Sequence, residues 1–370
     1  MRNALIIGGT GIISTAVVRE CLNRGYTLTI INRGRRSKDN IEGVSYVVAD
    51  VRYEPIIEIK RKLGSDYFDV VIDFLSYNLK QLKKTIQWAT CGQYIFISSS
   101  SIYEEDEGHL YSEHSKKGNI EWDYCKNKYA CECELPRLAE TMGFKYTIVR
   151  PYVTYSNKRF PYQFSPLEYY TIIYRIQHNI PLPIISPEGE TTVTDSRDFA
   201  NGLVGLIGNN MAYDTDFNIT TDHHIRWREI ADMMAEKFGV NCNYVVIDIK
   251  KLKNYKTTII DIPELLCDKS RIMTFDNSKI KNAVPNFVAD RTIDRSIEDI
   301  YKNFIVSDNP RFNFMWTGCL DRMIYEFNGL KIDAKVYPYK SNKDKIMYII
   351  GRNKIMCFAY NIARKIKKQF

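Results

Sequence analysis

Three side chains in this 370-residue chain have the types and spacing to move a proton. Tyr124 and Lys128 stand four apart in a stretch, Trp122 to Met142, that reads as one long helix, so they share a face. Ser99 lies upstream in the run Ser98-Ser99-Ser100-Ser101 and offers a hydroxyl. An unperturbed phenol titrates at about pH 10. A cation beside it favours the phenolate, which brings proton exchange towards neutral pH. The same spacing also arises where a packed ring happens to neighbour a solvated lysine, so the surrounding elements have to decide.

Those elements read as an α/β fold. Short β-branched runs at Asn3 to Ile7, Thr27 to Ile31, Tyr46 to Val48, Val70 to Phe74, Tyr94 to Ser98 and Tyr146 to Val149 alternate with amphipathic stretches. That alternation predicts a doubly wound parallel sheet with helices on both faces, over residues 1–150. The helix of Tyr124 follows the fifth strand and closes at Gly143. Beyond Pro151 the pattern is broken by Pro161, Pro166, Pro181, Pro183 and Pro187, as expected of a smaller substrate-binding lobe over 151–330. A helix near Arg197 to Ile207, a strand near Asp216 to Ile219, a helix near Trp227 to Phe238 and a strand at Asn243 to Ile247 predict elements that extend the sheet or the lobe.

The first strand runs into Gly8-Gly9-Thr10-Gly11-Ile12-Ile13-Ser14 and then a helix. Glycines there let the backbone approach a pyrophosphate, and the helix N-terminus attracts the anion, so the turn predicts a dinucleotide. Ser14 stands where a third glycine is usual. The second strand ends at Ile31-Asn32-Arg33-Gly34-Arg35-Arg36. Asn32 replaces the carboxylate that would take the ribose hydroxyls of NAD, while Arg33, Arg35 and Arg36 present guanidinium groups suited to a 2′-phosphate. NADP(H) is therefore favoured, with NAD(H) as the alternative.

Composition sets the class. A 45% hydrophobic, 26% charged chain is that of a globular protein. The nine cysteines form no CxxC pair, which argues against zinc or a disulfide framework and for a reducing cytoplasm. Residues 340–370 hold nine Lys/Arg and one Asp, the whole of the net charge of +8. From Lys343 to Phe370 apolar and basic residues alternate as in a basic amphipathic helix, so residues 331–370 read as an extension. It would dock on the body or a dimer partner, or meet nucleic acid or an anionic membrane surface, the last of which would place the protein at the inner face of the membrane. Glu104 to Glu107 with His109, Glu113 and His114 lacks ligand spacing and reads as an acidic loop, so no metal is expected.

The glycine turn, Asp50-Val51, Ser99, Tyr124-x3-Lys128, Arg150-Pro151 and the later Asp276-Asn277-Ser278-Lys279-Ile280 together resemble the extended short-chain dehydrogenase/reductases. Within them the chain is similar to nucleotide-sugar proteins of the epimerase/dehydratase type. The resemblance implies a Rossmann-type fold, Tyr124 as acid/base, Lys128 as its tuner and ribose ligand, and Ser99 as the hydroxyl on the reacting oxygen. It implies that Gly8, Thr10, Gly11, Ile12, Ile13, Asn32, Arg33, Arg36, Asp50, Val51, Phe74, Leu75, Ser76, Tyr124, Lys128, Pro151 and Tyr152 line the cofactor. Ser100, Ser101, Tyr103 and Arg159 would meet the substrate.

Dehydratases of this type carry Asp-Glu where Ser100 and Ser101 stand, which argues against dehydration. The expectation is a homodimeric NADPH-dependent reductase of a nucleotide-linked 4-keto hexose in glycan biosynthesis. The alternatives are a nucleotide-sugar 4-epimerase with tightly held NAD and a short-chain fold turned scaffold or RNA binder. The intact Ser-Tyr-Lys set speaks against nucleic acid.

Overall fold

The computed structural model describes residues 2–35, 40–65, 67–106, 108, 110–119, 121–307 and 311–366. The chain divides into two compact units, one made of residues 1–156, 192–224 and 273–293, the other of residues 157–191, 225–272 and 294–370.

In the first unit the β-branched runs form seven parallel strands: β1 (Asn3–Ile7), β2 (Thr27–Asn32), β3 (Val44–Val48), β4 (Phe68–Asp73), β5 (Cys91–Ile97), β6 (Lys145–Pro151) and β7 (Thr215–Ile219). Across the sheet they run β7-β6-β5-β4-β1-β2-β3. Strand order reverses at β1, which pairs with β2 on one side and β4 on the other. In such sheets ligands sit at the carboxyl ends of the strands beside that reversal.

Alternation along β1 builds two cores. Ala4 and Ile6 pack with α1 (Ile12–Asn23) through Val17, Val18 and Cys21. Leu5 and Ile7 pack on the opposite face with α2 (Ile56–Leu63), α3 (Leu79–Ile86) and α4 (Asp123–Met142), through Ile59, Leu82, Cys131 and Leu135. Helices α5 (Ser196–Gly205) and α6 (Ser278–Ala283) complete the first face with Phe199, Leu203 and Ile280. The segment Asp276 to Ile280 therefore works as a clasp. Asp276 caps α6 through the Ser278 N–H, Lys279 pairs with Asp216 of β7, and Ile280 enters the core.

In the second unit the strand Tyr244–Val246 pairs with Leu182–Ile184 as a separate parallel ribbon and does not join the large sheet. The basic extension differs from the single helix expected. It forms α8 (Asn342–Arg352) and α9 (Lys354–Ile366), preceded by α7 (Phe314–Asn328). The break is at Asn353, whose extended backbone ends α8 while its side-chain oxygen accepts from the N–H groups of Ile355 and Met356. Helices α7 and α8 touch backbone to backbone: a Cβ on Gly318 would collide with the Tyr348 carbonyl oxygen, and one on Gly351 with that of Met315. The approach encloses Asp321, fully buried, which accepts from Arg175 Nη1 at 2.8 Å and from the hydroxyls of Tyr337 at 2.7 Å and Tyr348 at 2.8 Å.

Candidate functional site

The carboxyl ends of β4 and β5 converge on Lys128. Its position on α4 turns the side chain into the sheet, where it is 2% exposed. Nζ donates to the carbonyl oxygens of Ser76 at 2.9 Å and Ile97 at 2.7 Å. An ammonium has three donors, so one more partner can be served. The rings of Tyr77 and Phe96 each lie 4.8 Å from Nζ. Burial pushes the Lys128 ammonium down to about 8, against the pull of the Asp73 carboxylate. Asp73 is itself sealed in. It accepts from the N–H groups of Leu75 at 2.8 Å and Ser76 at 3.0 Å and from the Tyr94 hydroxyl at 2.6 Å, and so fixes the turn that follows β4.

One turn before Lys128, Tyr124 sits in the first turn of α4, half-buried, with the ring of Trp122 at 4.8 Å and that of Tyr77 at 6.3 Å. Ser99 begins a turn of 3-10 helix, and its Oγ donates to Ser101 Oγ at 3.0 Å and accepts from the Ser101 N–H at 3.3 Å. Because Ile97, two residues before Ser99, binds Lys128, the serine turn and the Tyr-Lys helix are anchored to one strand end. Three residues of this neighbourhood escaped the sequence reading: Asp73, Tyr77 and Trp122. The signal available for them was their position, directly at strand end, after it, and before Tyr124.

The glycine turn has the form the sequence predicts. Gly8 and Gly9 adopt φ of 117° and 73°, the left-handed side of the map, and a Cβ on Gly9 would come within 2.7 Å of Ile30. Ser14 is inward-facing and accepts from the Gly11 N–H at 2.8 Å, capping α1 where the third glycine was expected. Thr10, Gly11 and Ile12 stay at the surface or half-exposed, and Ile13 leans on the core. This tight cradle at a helix N-terminus fits a dinucleotide pyrophosphate. Asn32 Oδ1 accepts from the Gly34 N–H at 2.7 Å, which shapes a turn with Arg33 and Arg35 exposed. Arg36 lies outside the described residues. Asp50 is half-buried, its Oδ1 accepting from the Arg52 N–H, and Val51 is buried beside it. Phe74 and Leu75 border Gly8 at 3.4 Å from its would-be Cβ.

Two expected substrate contacts turn inward. Tyr103 is fully buried, receives a hydrogen bond from Arg150 Nη1 at 2.9 Å and donates to Asn218 Oδ1 at 2.9 Å, so its hydroxyl is consumed by the scaffold. Ser100, also fully buried, donates to the Arg150 carbonyl oxygen at 3.3 Å. Ser101 is 6% exposed and bonded to Ser99. Tyr152 packs its ring 5.2 Å from that of Phe275 in the aromatic cluster that also holds Tyr103, while Pro151 is half-buried at the end of β6. Arg159 belongs to the second unit, its guanidinium 5.3 Å from the Tyr169 ring centroid.

Arg150 is the hub of this scaffold. It holds Glu132 of α4 and lies 2.7 Å from Asp216 of β7. Burial works against ionisation of Asp216, but Arg150 and Lys279 outweigh it and keep the carboxyl below its ordinary range.

Comparison with known proteins fits this geometry. The chain is 30% identical over 165 residues to the chloroplastic divinyl chlorophyllide a 8-vinyl-reductase of Cucumis sativus, a match spanning 40% of this chain and 38% of that one. Its fold is similar to an epimerase of Methanothermobacter thermautotrophicus, with TM-score 0.68, 13% identity, and 82% and 92% of the two chains covered. It is similar too to the UDP-glucuronic acid 4-epimerase of Bacillus cereus in complex with NAD, with TM-score 0.63, 15% identity, and 82% and 98% covered. The model of the NAD dependent epimerase/dehydratase family matches residues 4–219. With more than half of its length inside that match, on a Rossmann-type parallel sheet, the chain belongs to the NAD dependent epimerase/dehydratase family.

Proposed function

We propose that the protein reduces the keto group of a nucleotide-linked sugar, a 4-keto hexose, with NADPH. The observation that carries the reading is the lodging of Lys128 Nζ between the carbonyls of Ser76 and Ile97, one helical turn from Tyr124. When bound, the nicotinamide supplies a hydride to the keto carbon. Tyr124 gives its hydroxyl proton to the substrate oxygen as negative charge develops there, and Ser99 donates a hydrogen bond to the same oxygen. To do so the Ser99 hydroxyl rotates away from Ser101, an exchange of one hydrogen bond for another. Lys128 spends its third N–H on the ribose, and its charge favours the phenolate left on Tyr124. Arg33 takes the 2′-phosphate of NADPH.

A 4-epimerase is the second reading, supported by the solved 4-epimerases of similar fold that are described with NAD. The same Tyr124 would then take a proton from a sugar hydroxyl and return it after the ring has turned.

Incubation of the purified full chain with NADPH and a panel of nucleotide 4-keto sugars separates the two. Reduction consumes one NADPH for each sugar reduced. Interconversion of two nucleotide sugars without net loss of cofactor would overturn it in favour of the epimerase.

A further inference from the structure

We propose that α9 lays the protein on an anionic lipid surface. The helix is amphipathic, but its apolar stripe faces away from the unit that carries it. It is held on that unit by Cys357, 2% exposed, and by Asn361, whose amide donates to Thr258 Oγ1 at 2.7 Å. On the other side Ile355, Phe358, Ala359 and Ile362 recur at the spacing of one helical stripe. Of these, Ile355 is 80% exposed, Phe358 57% and Ile362 44%. In α8, Ile346 and Ile349 are more than half exposed as well. A helix that docks by its hydrophobic side would show the reverse.

Charge decides what covers the stripe. From Lys345 to Phe370 the sequence has seven Lys/Arg and no Asp or Glu. A second copy bound about a two-fold axis would set this patch against itself, basic residue against basic residue, with no carboxylate in the segment to neutralise them. An anionic bilayer satisfies both features. The stripe enters the boundary between headgroups and acyl chains, and a flanking cation such as Lys354 meets lipid phosphates. No described helix is long and apolar enough to cross a membrane, so α9, with its thirteen residues, would lie along the surface.

Sedimentation of the full chain with vesicles tests this. Vesicles of phosphatidylcholine mixed with phosphatidylglycerol should retain at least about tenfold more protein than phosphatidylcholine alone, and added salt should reduce the difference. Phe358→Asp with Ile362→Asp should abolish retention while leaving the circular dichroism and thermal midpoint unchanged, since both side chains are exposed. Equal or absent retention on the two vesicle types would overturn the proposal. So would a dimer in sedimentation velocity that Phe358→Asp splits into monomers, because the stripe would then belong to a second copy.

Discussion

Arg150 grips Glu132 through two parallel hydrogen bonds, Nε to Oε1 at 2.9 Å and Nη2 to Oε2 at 2.6 Å, with both side chains inside the fold. The fork ties the end of β6 to α4 one turn beyond Lys128, so the strand sets the position of the helix that carries Tyr124. Removing Glu132 breaks both bonds and leaves the buried guanidinium with Asp216 as its remaining carboxylate. Glu132→Ala should cost about 3 kcal/mol in chemical denaturation, the low end for a broken buried pair. Glu132→Leu combined with Arg150→Met should cost less than that single change. A midpoint unmoved by Glu132→Ala would show that the pair holds nothing in place.

Tyr124→Phe removes one oxygen and little else. Turnover should fall by about 10²–10⁴-fold, with the thermal midpoint and cofactor affinity close to those of the parent. Steady-state kinetics and cofactor titration read the two effects separately, and full turnover in the variant would remove Tyr124 from the chemistry.

Lys128 gives two pH trends of opposite sign. As pH rises through about 8 the buried ammonium loses its proton, so turnover should decline on that limb, and Lys128→Met should lack the limb. Stability moves the other way. The folded value lies below the ordinary 10.5, so the unfolded chain binds more protons between the two values and folding is favoured as pH climbs through that window. The cost relieved is on the order of 3 kcal/mol. Denaturation of the parent against Lys128→Met from pH 7 to 10 measures it; parallel curves would contradict the assignment.

Arg33→Ala should weaken NADPH binding by about 10-fold to 100-fold and leave NADH nearly untouched, since only NADPH carries the 2′-phosphate. Fluorescence titration with both nucleotides is the measurement. Equal losses would mean that Arg33 does not discriminate between them.

Gly318→Val would drive a side chain into the Tyr348 carbonyl and lift α8 from α7. The expected result is a loss of several kcal/mol, about the upper range for single substitutions, together with faster proteolysis within residues 340–366. Resistance equal to the parent would argue that the helices close by another route.

Much of the first unit was legible because its signals are local. β-branched runs, a glycine turn and a Tyr-Lys spacing each need only a few neighbouring residues to be read. The direction of a side chain after a turn is not local. Tyr103 looked ligand-facing beside the serines, yet the guanidinium of Arg150 and the amide oxygen of Asn218 claim its hydroxyl from strands far along the chain. The break at Asn353 was hidden for a different reason. Apolar spacing continues through it, and only the side-chain oxygen competing for the next helix's N–H groups reveals the stop.

The bond between Arg175 and Asp321 closes a loop of 146 residues. Neither unit is one continuous stretch of chain: along the sequence the segments that hold β7 and α6 of the first alternate with segments of the second. Contacts of such wide sequence separation are assembled late and slowly. Cutting the gene at residue 156 would yield no miniature of the first unit, only a sheet missing its outer strand, with Arg150 deprived of Asp216. Refolding from denaturant should accordingly depend on the whole polypeptide.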